Sequence, residues 1–316
     1  MTAYRLVDGA IAGYATKSLL TPAGTIAATF APSVGMVGCS LQHRGAELLA
    51  LRGGLAHYAQ TGSTMGIPLL HPWANRLSGP RYAVAGRDVI LDPSASFLHL
   101  DAAGLPMHGF QPARLQWRVT SAGAAADEAR LQAGMHFGSD AALRAAFPFP
   151  HELSVDVRLR DSTLTIATTL RATGDLAVPV SFGYHPYLCL PDVARAEWHV
   201  EIPVQRRLIV DDRLIPTGAS EPVRVEPDRL GERTFDTPFT DIDSRAPFVL
   251  ASSDRRIEVS FLEGYPYAQV YAPADGAFVC FEPMTAPTNA LVAGGPALRL
   301  VAPGQQYTAA FAITLR

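Results

Sequence analysis

The sequence predicts an all-β protein with mostly antiparallel strands and few, short helices. Three observations support this: apolar and polar residues alternate with period two in several segments, turn-forming residues are abundant, and helical periodicity is scarce. The chain of 316 residues contains 26 Gly and 25 Pro, an excess typical of many turns between short strands. Because 48% of the residues are apolar and only 17% are charged, we expect one large core and a single domain over residues 1–316.

The alternation is clearest in four segments, which are predicted as strands: LSVDVRLR (153–160), WHVEIPV (198–204), RIEVSFL (256–262) and YTAAFAITL (307–315). Clusters of Gly, Pro, Asp, Ser or Thr predict turns between such strands, at residues 32–33, 92–93, 173–175, 216–218, 273–276 and 303–304. Only segments 127–132 and 140–146 have a helical pattern, of two turns at most, and residues 121–129 resemble a surface loop. The fold class therefore follows from strands and turns.

Charge and cysteine content exclude several classes of protein. The net charge of −3 lacks the basic surplus that a nucleic-acid-binding protein needs. The first 20 residues lack the pattern of a signal peptide and no stretch of about 18 apolar residues occurs, so we expect a cytoplasmic protein without a membrane span. Cys39, Cys189 and Cys280 are too few and too scattered for a disulfide framework or a zinc site, and we expect no metal and no cofactor.

Four polar segments rich in Gly and Pro interrupt the alternation, and they carry the candidate site residues. Asn75 and Arg76 follow a Trp, an arrangement suited to a polyhydroxylated ligand, although a loop held by its own hydrogen bonds would look the same. His108 lies in a turn flanked by glycines, where a surface histidine is the simpler interpretation. His185 lies among aromatic residues, which suits either proton transfer or a core histidine bonded to a carbonyl. Glu282 ends an apolar strand face, where a carboxylate costs free energy unless it is paired or functional.

Nine segments of the chain, in this order, resemble the aldose 1-epimerase (galactose mutarotase) family. They cover the chain from about residue 20 to the C-terminus and are specific as an ordered set: ANRLSG, MHGF, FPFPHELSV, GYHPYLCL, LIPTG, FDTPFTDID, PYAQVYAP, FEPMTAPTNAL and VAPGQQY. The resemblance implies a β-supersandwich fold, in agreement with the predicted strands.

The resemblance also implies a mechanism without metal or redox cofactor. Glu282 would take the proton from the C1 hydroxyl of a cyclic aldose, and His185 would protonate the ring oxygen, so that the ring opens and recloses as the opposite anomer. Arg76 and His108 would bind hydroxyls, with Asn75 in support. With Glu282 as base and His185 as acid, the rate should fall on both sides of a maximum between about pH 6 and 8. The acid limb would report protonation of Glu282, and the alkaline limb would report loss of the proton from His185, whose pKa we expect the negative Glu282 to raise.

The resemblance implies a substrate-binding aspartate, which maps best to Asp236, with Asp241 and Asp243 as alternatives. The segment after Glu282 departs from the family pattern: Met284 replaces a Gln, and Pro287 to Ala290 reads Pro-Thr-Asn-Ala instead of Pro-Asp-Ala. These departures suggest a sugar preference different from galactose.

Two other functions remain open from the sequence. A hexose-6-phosphate 1-epimerase would need converging arginines, for which Arg44, Arg81 and Arg114 are available besides Arg76. A non-catalytic sugar-binding or regulatory protein is disfavoured because both Glu282 and His185 are present. In each case we expect a monosaccharide as the partner and a monomer or homodimer as the assembly.

Overall fold

The computed structural model describes residues 3–191 and 193–316. The first half of the chain forms short strands with two helices and one 3-10 turn: β1 (Arg5–Ile11), β2 (Tyr14–Leu20), β3 (Ile26–Ala31), β4 (Val37–His43), β5 (Ala46–Glu47), α1 (Gly54–Thr61), β6 (Leu69–Leu70), β7 (Arg81–Val84), β8 (Arg87–Ile90), β9 (Leu98–Leu100), β10 (Pro106–Phe110), the 3-10 turn Pro112–Arg114, β11 (Arg118–Ala124), β12 (Ala129–Phe137), α2 (Ala141–Ala146) and β13 (His151–Arg160).

The second half continues in the same manner with these elements: β14 (Thr163–Ala172), β15 (Val178–Val180), β16 (Gly183–Tyr184), β17 (Tyr187–Leu188), the 3-10 turn Arg195–Glu197, β18 (His199–Glu201), β19 (Val204–Val210), β20 (Pro216–Pro222), β21 (Asp228–Arg229), β22 (Phe235–Ile242), β23 (Phe248–Ala251), β24 (Arg256–Glu263), β25 (Tyr267–Ala272), β26 (Val279–Met284), α3 (Ala290–Ala293), β27 (Arg299–Val301) and β28 (Gln306–Leu315).

The strands assemble into antiparallel sheets, of which two are large. A nine-stranded sheet has the order β11-β12-β13-β14-β28-β24-β23-β18-β21, and an eight-stranded sheet has the order β20-β19-β22-β25-β26-β16-β6, with β17 also paired to β26. A five-stranded sheet, β1 to β5, follows chain order, and the remaining pairs are β9-β10, β15-β27 and β7-β8. An extensive apolar cluster, which includes residues from Tyr4 to Leu315, fills the space that these sheets enclose.

The all-β prediction is confirmed, and three of the four clearest strands are confirmed as β13, β24 and β28. Segment 198–204 is not one strand: it contains β18 (His199–Glu201) and, at Val204, the first residue of β19. In β13, for example, Leu153, Val155 and Val157 are buried, whereas their neighbours face outward, as period two requires. The short helix predicted at 140–146 is also confirmed: the carboxylate of Asp140 accepts hydrogen bonds from the backbone of Ala142 and Leu143 and so caps α2.

Three local predictions are wrong. Segment 127–132, predicted as helical, is not helical: residues 129–132 form the start of β12, because its neighbour β13 offers a register of nine residue pairs. Residues 121–124, predicted as loop, pair with β12 as part of β11. Residues 216–218, predicted as a turn, begin β20, where Pro216 pairs with Val210 next to a register shift. In each case pairing with a neighbouring strand outweighs local propensity.

Candidate active site

A cleft of about 340 Å³ is lined by side chains from β22, β25 and β26 and from the segment that joins β16 to β17. The strand residues that face the cleft alternate with residues of the apolar core; on β26, for example, Phe281 belongs to the core and Glu282 lines the cleft. The structure places all six candidate site residues of the sequence analysis around this cleft: Asn75, Arg76, His108, His185, Asp236 and Glu282.

Glu282 and His185 form the centre of the cleft. Oε1 of Glu282 lies 3.3 Å from Nε2 of His185, and their side chains are 1% and 6% exposed. Oε2 of Glu282 and Nδ1 of His185 are buried and have no hydrogen-bond partner within the described ranges 3–191 and 193–316. A buried polar atom without a partner costs free energy, so this pair is arranged for something other than stability.

Strand pairing explains why these two residues meet. Gly183 of β16 pairs with Met284 of β26, which puts the residues that follow Gly183 beside those that precede Met284. A Cβ atom at Gly183 would lie 2.8 Å from the carbonyl oxygen of Pro283, so only glycine permits this close approach. His185 is further held by its backbone N–H, which donates to the carbonyl of Pro68, and by its ring, which stacks on Tyr187 at 4.4 Å and 2°.

A second wall of the cleft is the loop that carries Asn75 and Arg76. Oδ1 of Asn75 accepts hydrogen bonds from the backbone N–H and from Nη1 of Arg76, and Nε of Arg76 donates to Asp101 at 2.8 Å. The backbone N–H of His108 donates to the carbonyl of Asn75, and both residues have left-handed backbones, with φ of 61° and 57°. Non-glycine residues rarely adopt this conformation, which is enriched at functional sites.

Beneath this loop lies a buried pair of histidines that the sequence analysis did not single out. Nε2 of His71 lies 2.9 Å from Nε2 of His151, and Nδ1 of His151 lies 2.6 Å from the carbonyl of Phe149. Since only an N–H can bond to a carbonyl, His151 is protonated at Nδ1 and accepts at Nε2, and His71 is therefore the donor. Gly109 packs against the same point, where a Cβ would lie 2.1 Å from the carbonyl oxygen of His71.

Asp236 is the aspartate that lines the cleft. Its Oδ1 accepts a hydrogen bond of 2.5 Å from Nε2 of Gln269, which in turn pairs across the strands with Glu282. Asp241 and Asp243, the alternatives from the sequence, do not line the cleft: Asp241 has an exposed side chain, and Asp243 forms an ion pair with the neighbouring Arg245.

Comparison with known proteins agrees with this architecture. Residues 36–314 match the sequence model of the family described as aldose 1-epimerase. The chain belongs to the aldose 1-epimerase family. No curated protein has a matching sequence.

Solved structures of the same fold accompany this family match. A galactose mutarotase-like protein from Clostridium acetobutylicum superposes with a TM-score of 0.86 at 16% identity, over 100% of this chain and 99% of that one. Galactose 1-epimerase from Lactobacillus acidophilus gives 0.77 at 14% identity, over 100% and 99% of the two chains. A putative aldose 1-epimerase from Escherichia coli gives 0.72 at 17% identity, over 99% of each chain. At these identities the likeness shows a shared fold.

In this member of the aldose 1-epimerase family, burial controls the charge state of the central pair. Burial and the negative charge of Asp236 raise the pKa of Glu282 well above its ordinary value, against an opposing effect of Arg76. Burial and the charge of Arg52 lower the pKa of His185 to about 3. The expectation that Glu282 raises the pKa of His185 is therefore wrong for the free protein, because burial of the imidazole outweighs the neighbouring carboxyl.

Burial also disfavours the charged forms of Asp236 and His108 in the cleft. Burial raises the pKa of Asp236, although Arg76 and Gln269 oppose the shift. Burial and the neighbouring His185 lower the pKa of His108 well below its ordinary value. Burial thus opposes ionisation of Asp236, Glu282 and His108 alike.

Sequence reasoning missed further residues that line the cleft, notably Arg52, Thr64, Tyr187 and Gln269. Tyr187 follows His185 by two residues. Side chains two residues apart in an extended segment point to the same side, and this spacing was the available signal. Arg52 and Thr64 had no such signal, since they come from the segments before and after α1. The arginines Arg44, Arg81 and Arg114, considered for a phosphate, do not line the cleft.

Within the part of the chain that the structure describes, no group of three or more His, Cys, Asp or Glu side chains is arranged to hold a metal ion. Among those same residues, no helix is both long and apolar enough to cross a membrane.

Proposed function

We propose that this protein is an aldose 1-epimerase that interconverts the α and β anomers of a free aldose. The observation that carries the proposal is the contact of 3.3 Å between Oε1 of Glu282 and Nε2 of His185 at the centre of the cleft. In a cyclic aldose the hydroxyl oxygen and the ring oxygen are bonded to the same carbon, C1. Two adjacent groups that exchange one proton therefore suit a reaction that removes a proton from one oxygen and adds one to the other.

The reaction needs only the single proton that the pair carries. In the bound complex this proton moves from Glu282 to His185, which prepares the base and the acid together. Glu282 then accepts the proton of the C1 hydroxyl while His185 donates to the ring oxygen, the bond from C1 to the ring oxygen breaks, and the C1 carbonyl forms. Rotation about the C1–C2 bond presents the other carbonyl face, and reclosure by the reverse proton transfers gives the opposite anomer.

The walls of the cleft supply groups that bind hydroxyls. Arg76 and the ring of His108, from loop and strand segments of the first half of the chain, line the cleft together with the carboxyl of Asp236 and the amide of Gln269. Sugar hydroxyls both donate and accept hydrogen bonds, so a cleft lined by donors and acceptors suits a sugar ring. Asn75 acts through Arg76, whose backbone and guanidinium it fixes.

Proton NMR of freshly dissolved sugars tests the proposal, with α-glucose, α-galactose and L-arabinose as the first panel. We expect the wild-type protein to accelerate the approach to anomeric equilibrium for at least one sugar. Glu282→Gln and His185→Asn should each lower the rate by at least about 10²-fold, the usual contribution of a general acid or base. Glu232→Gln, at an exposed position outside the cleft, is the matched control and should leave the rate unchanged.

The same experiment separates the other candidate functions. Failure to accelerate exchange for any of a broad panel of free sugars would overturn the proposal. Acceleration restricted to hexose 6-phosphates would identify a sugar-phosphate epimerase, and sugar binding by calorimetry without acceleration would identify a non-catalytic sugar-binding protein.

A further inference from the structure

Arg52 brings to the cleft a positive charge that no acidic side chain neutralises within residues 3–191 and 193–316. The other arginine that lines the cleft, Arg76, forms an ion pair with Asp101 at 2.8 Å. Arg52 lies between β5 and α1, its side chain is exposed, and the reaction derived above makes no use of it. A positive charge that lines a binding cleft without a partner in the protein suits an anionic ligand.

Hydrogen bonds hold one side of the Arg52 guanidinium. Nη1 donates to the backbone carbonyl of Thr64 at 3.0 Å and to the hydroxyl oxygen of Tyr187 at 3.2 Å. Nε and Nη2 have no partner among the residues that the structure describes. These two nitrogens form a fork that matches the two oxygens of a carboxylate, and Arg130 uses the same fork to bind Asp156 at 2.8 and 2.6 Å. The bonds of Nη1 therefore fix a fork that is suited to a carboxylate.

The backbone at Arg52 supports this position of the side chain. It is in the left-handed conformation, with φ of 45°, in a turn where the N–H of Gly54 donates to the carbonyl of Leu51 at 2.7 Å. This conformation costs a non-glycine residue free energy, and such residues cluster at functional sites. The turn places the guanidinium carbon 5.3 Å from the centroid of the Tyr187 ring.

Arg52 lies on the His185 side of the central pair. The hydroxyl oxygen of Tyr187, which accepts from Arg52, lies over the imidazole at 3.3 Å from Nε2, since the two rings are stacked. Besides burial, the charge of Arg52 lowers the pKa of His185, whereas the pKa of Glu282 responds to burial and to charges on other residues. The fork of Arg52 is therefore close to the proton donor and not to the base.

This position singles out one substituent of the sugar. In a pyranose the ring oxygen is bonded to C1 and to C5, and C5 carries the exocyclic carbon C6. With the C1 hydroxyl at Glu282 and the ring oxygen at His185, C6 is the substituent that follows the ring oxygen on the side of His185. The fork of Arg52 therefore lies toward the group at C6.

We propose that Arg52 binds the C6 carboxylate of a hexuronate, so that the preferred substrate is an aldose with an acidic group at C6. The inference rests on the proposed function, because it names the substrate class of the same site. One fork matches the single charge and the two oxygens of a carboxylate. A phosphate dianion calls for converging arginines, and the charge of Arg76 is already paired with Asp101. Arg52 thus determines specificity and takes no part in proton transfer.

Titration calorimetry with matched sugars tests the inference without any need for turnover. D-Glucuronate and D-glucose differ only at C6, and so do D-galacturonate and D-galactose. We expect the wild-type protein to bind one of the hexuronates at least about tenfold more tightly than the matching hexose, the effect of a charge-assisted pair of hydrogen bonds. Equal affinities within both pairs of sugars would overturn the inference.

Variants of Arg52 locate the preference. Arg52→Gln should abolish it, with Kd for the neutral hexose within about threefold of wild type, and Arg52→Lys, which keeps the charge without the fork, should recover only part of it. Arg81→Gln, which removes an exposed arginine outside the cleft, is the matched control and should keep the whole preference. If Arg52 only holds Thr64 and Tyr187, Arg52→Gln will weaken the binding of hexuronate and hexose equally, and that result would overturn the inference.

Two further measurements separate the remaining outcomes. Binding of glucose 6-phosphate that is tighter than that of both hexuronates, and is lost in Arg52→Gln, would overturn the assignment of the fork to a carboxylate. In anomer-exchange NMR, exchange with equal kcat/KM for the two members of each pair of sugars would overturn this inference alone. Absence of exchange for hexuronates and neutral sugars alike would instead overturn the proposed function.

Discussion

Glu282 and His185 share one proton in a site where neither ionised form is favoured. Burial raises the pKa of Glu282 and lowers that of His185 to about 3, so over the intervening pH range the pair is a protonated carboxyl beside a neutral imidazole. Such a pair titrates as a unit, gaining a second proton on the acid side and losing its only proton on the alkaline side. This reverses the assignment from the sequence, in which protonation of Glu282 gave the acid limb of the rate profile.

The reversal predicts how Asp236→Asn changes the pH dependence of kcat/KM. The negative charge of Asp236 helps to raise the pKa of Glu282, so its removal should move the alkaline limb to lower pH. The acid limb, which belongs to His185, should stay in place. The measurement is anomer-exchange NMR at subsaturating sugar across the pH range, and movement of the acid limb alone would restore the assignment from the sequence.

Among individual residues, the sequence could indicate those that stand out in their local pattern and those that lie in a family motif. Glu282 stands out because it is a charge on an apolar strand face, and His185 because of its aromatic neighbours. Gln269 and Thr64 are ordinary residues in their local sequence, and only the sheet register and the loop conformation bring them to the cleft. For Asp236, the motif left three aspartates to choose from, and strand pairing decides which of them faces the cleft.

At the level of elements, period-two alternation predicted the strands that pack one face on the core, such as β13 and β24, and also β28, which is buried on both faces. It did not predict β11, whose residues are exposed throughout and show no alternation in burial. Helix α1 was also missed: glycines flank it at 53 and 62, and it has neither a side-chain cap nor an acidic first turn. Edge strands and short uncapped helices form because of the neighbours that they pack against, so the local sequence alone does not indicate them.

The buried His71–His151 bond ties the loop that carries Arg76 to β13, and its removal should be measurable. His151→Leu leaves the N–H of His71 buried without an acceptor, so we expect a loss of about 1–3 kcal/mol in the free energy of unfolding. We also expect a higher KM, because the loop positions Arg76. Urea denaturation and anomer-exchange NMR provide the two measurements.

The double variant His71→Leu with His151→Leu serves as the control for this prediction. It removes donor and acceptor together, so part of the lost free energy of unfolding should return relative to His151→Leu. Strictly additive losses in the two single variants would contradict a hydrogen bond between them.

For the whole molecule, the buried histidines predict that the folded state is destabilised by acid. Burial lowers the pKa values of His71, His108, His151 and His185, that of His151 to about 4, so the unfolded chain binds more protons than the folded chain below about pH 6.5. The stability present above pH 6.5 is therefore lost as pH falls. The raised pKa values of Glu282 and Asp236 act in the opposite direction, but the four histidines outnumber these two carboxyls.

Urea denaturation at pH 7.5, 6 and 5 measures this effect. We expect the free energy of unfolding to decrease steadily over this series, and His151→Leu to make the decrease shallower, since that histidine alone accounts for at most about 2 kcal/mol between pH 6.5 and 5. A free energy of unfolding that stays constant from pH 7.5 to pH 5 would contradict the burial of these imidazoles as neutral groups.

The strand order of the eight-stranded sheet has a consequence for synthesis of the chain. β6, at residues 69–70, lies beside β16, at residues 183–184, which in turn lies beside β26, at residues 279–284. During translation, the loop that carries Asn75 and Arg76 emerges long before the strand that carries Glu282, so it has no cleft to line until most of the chain has left the ribosome. Pairings between such distant segments form slowly, and the onset of sugar conversion would mark the last stage of folding of the nascent protein.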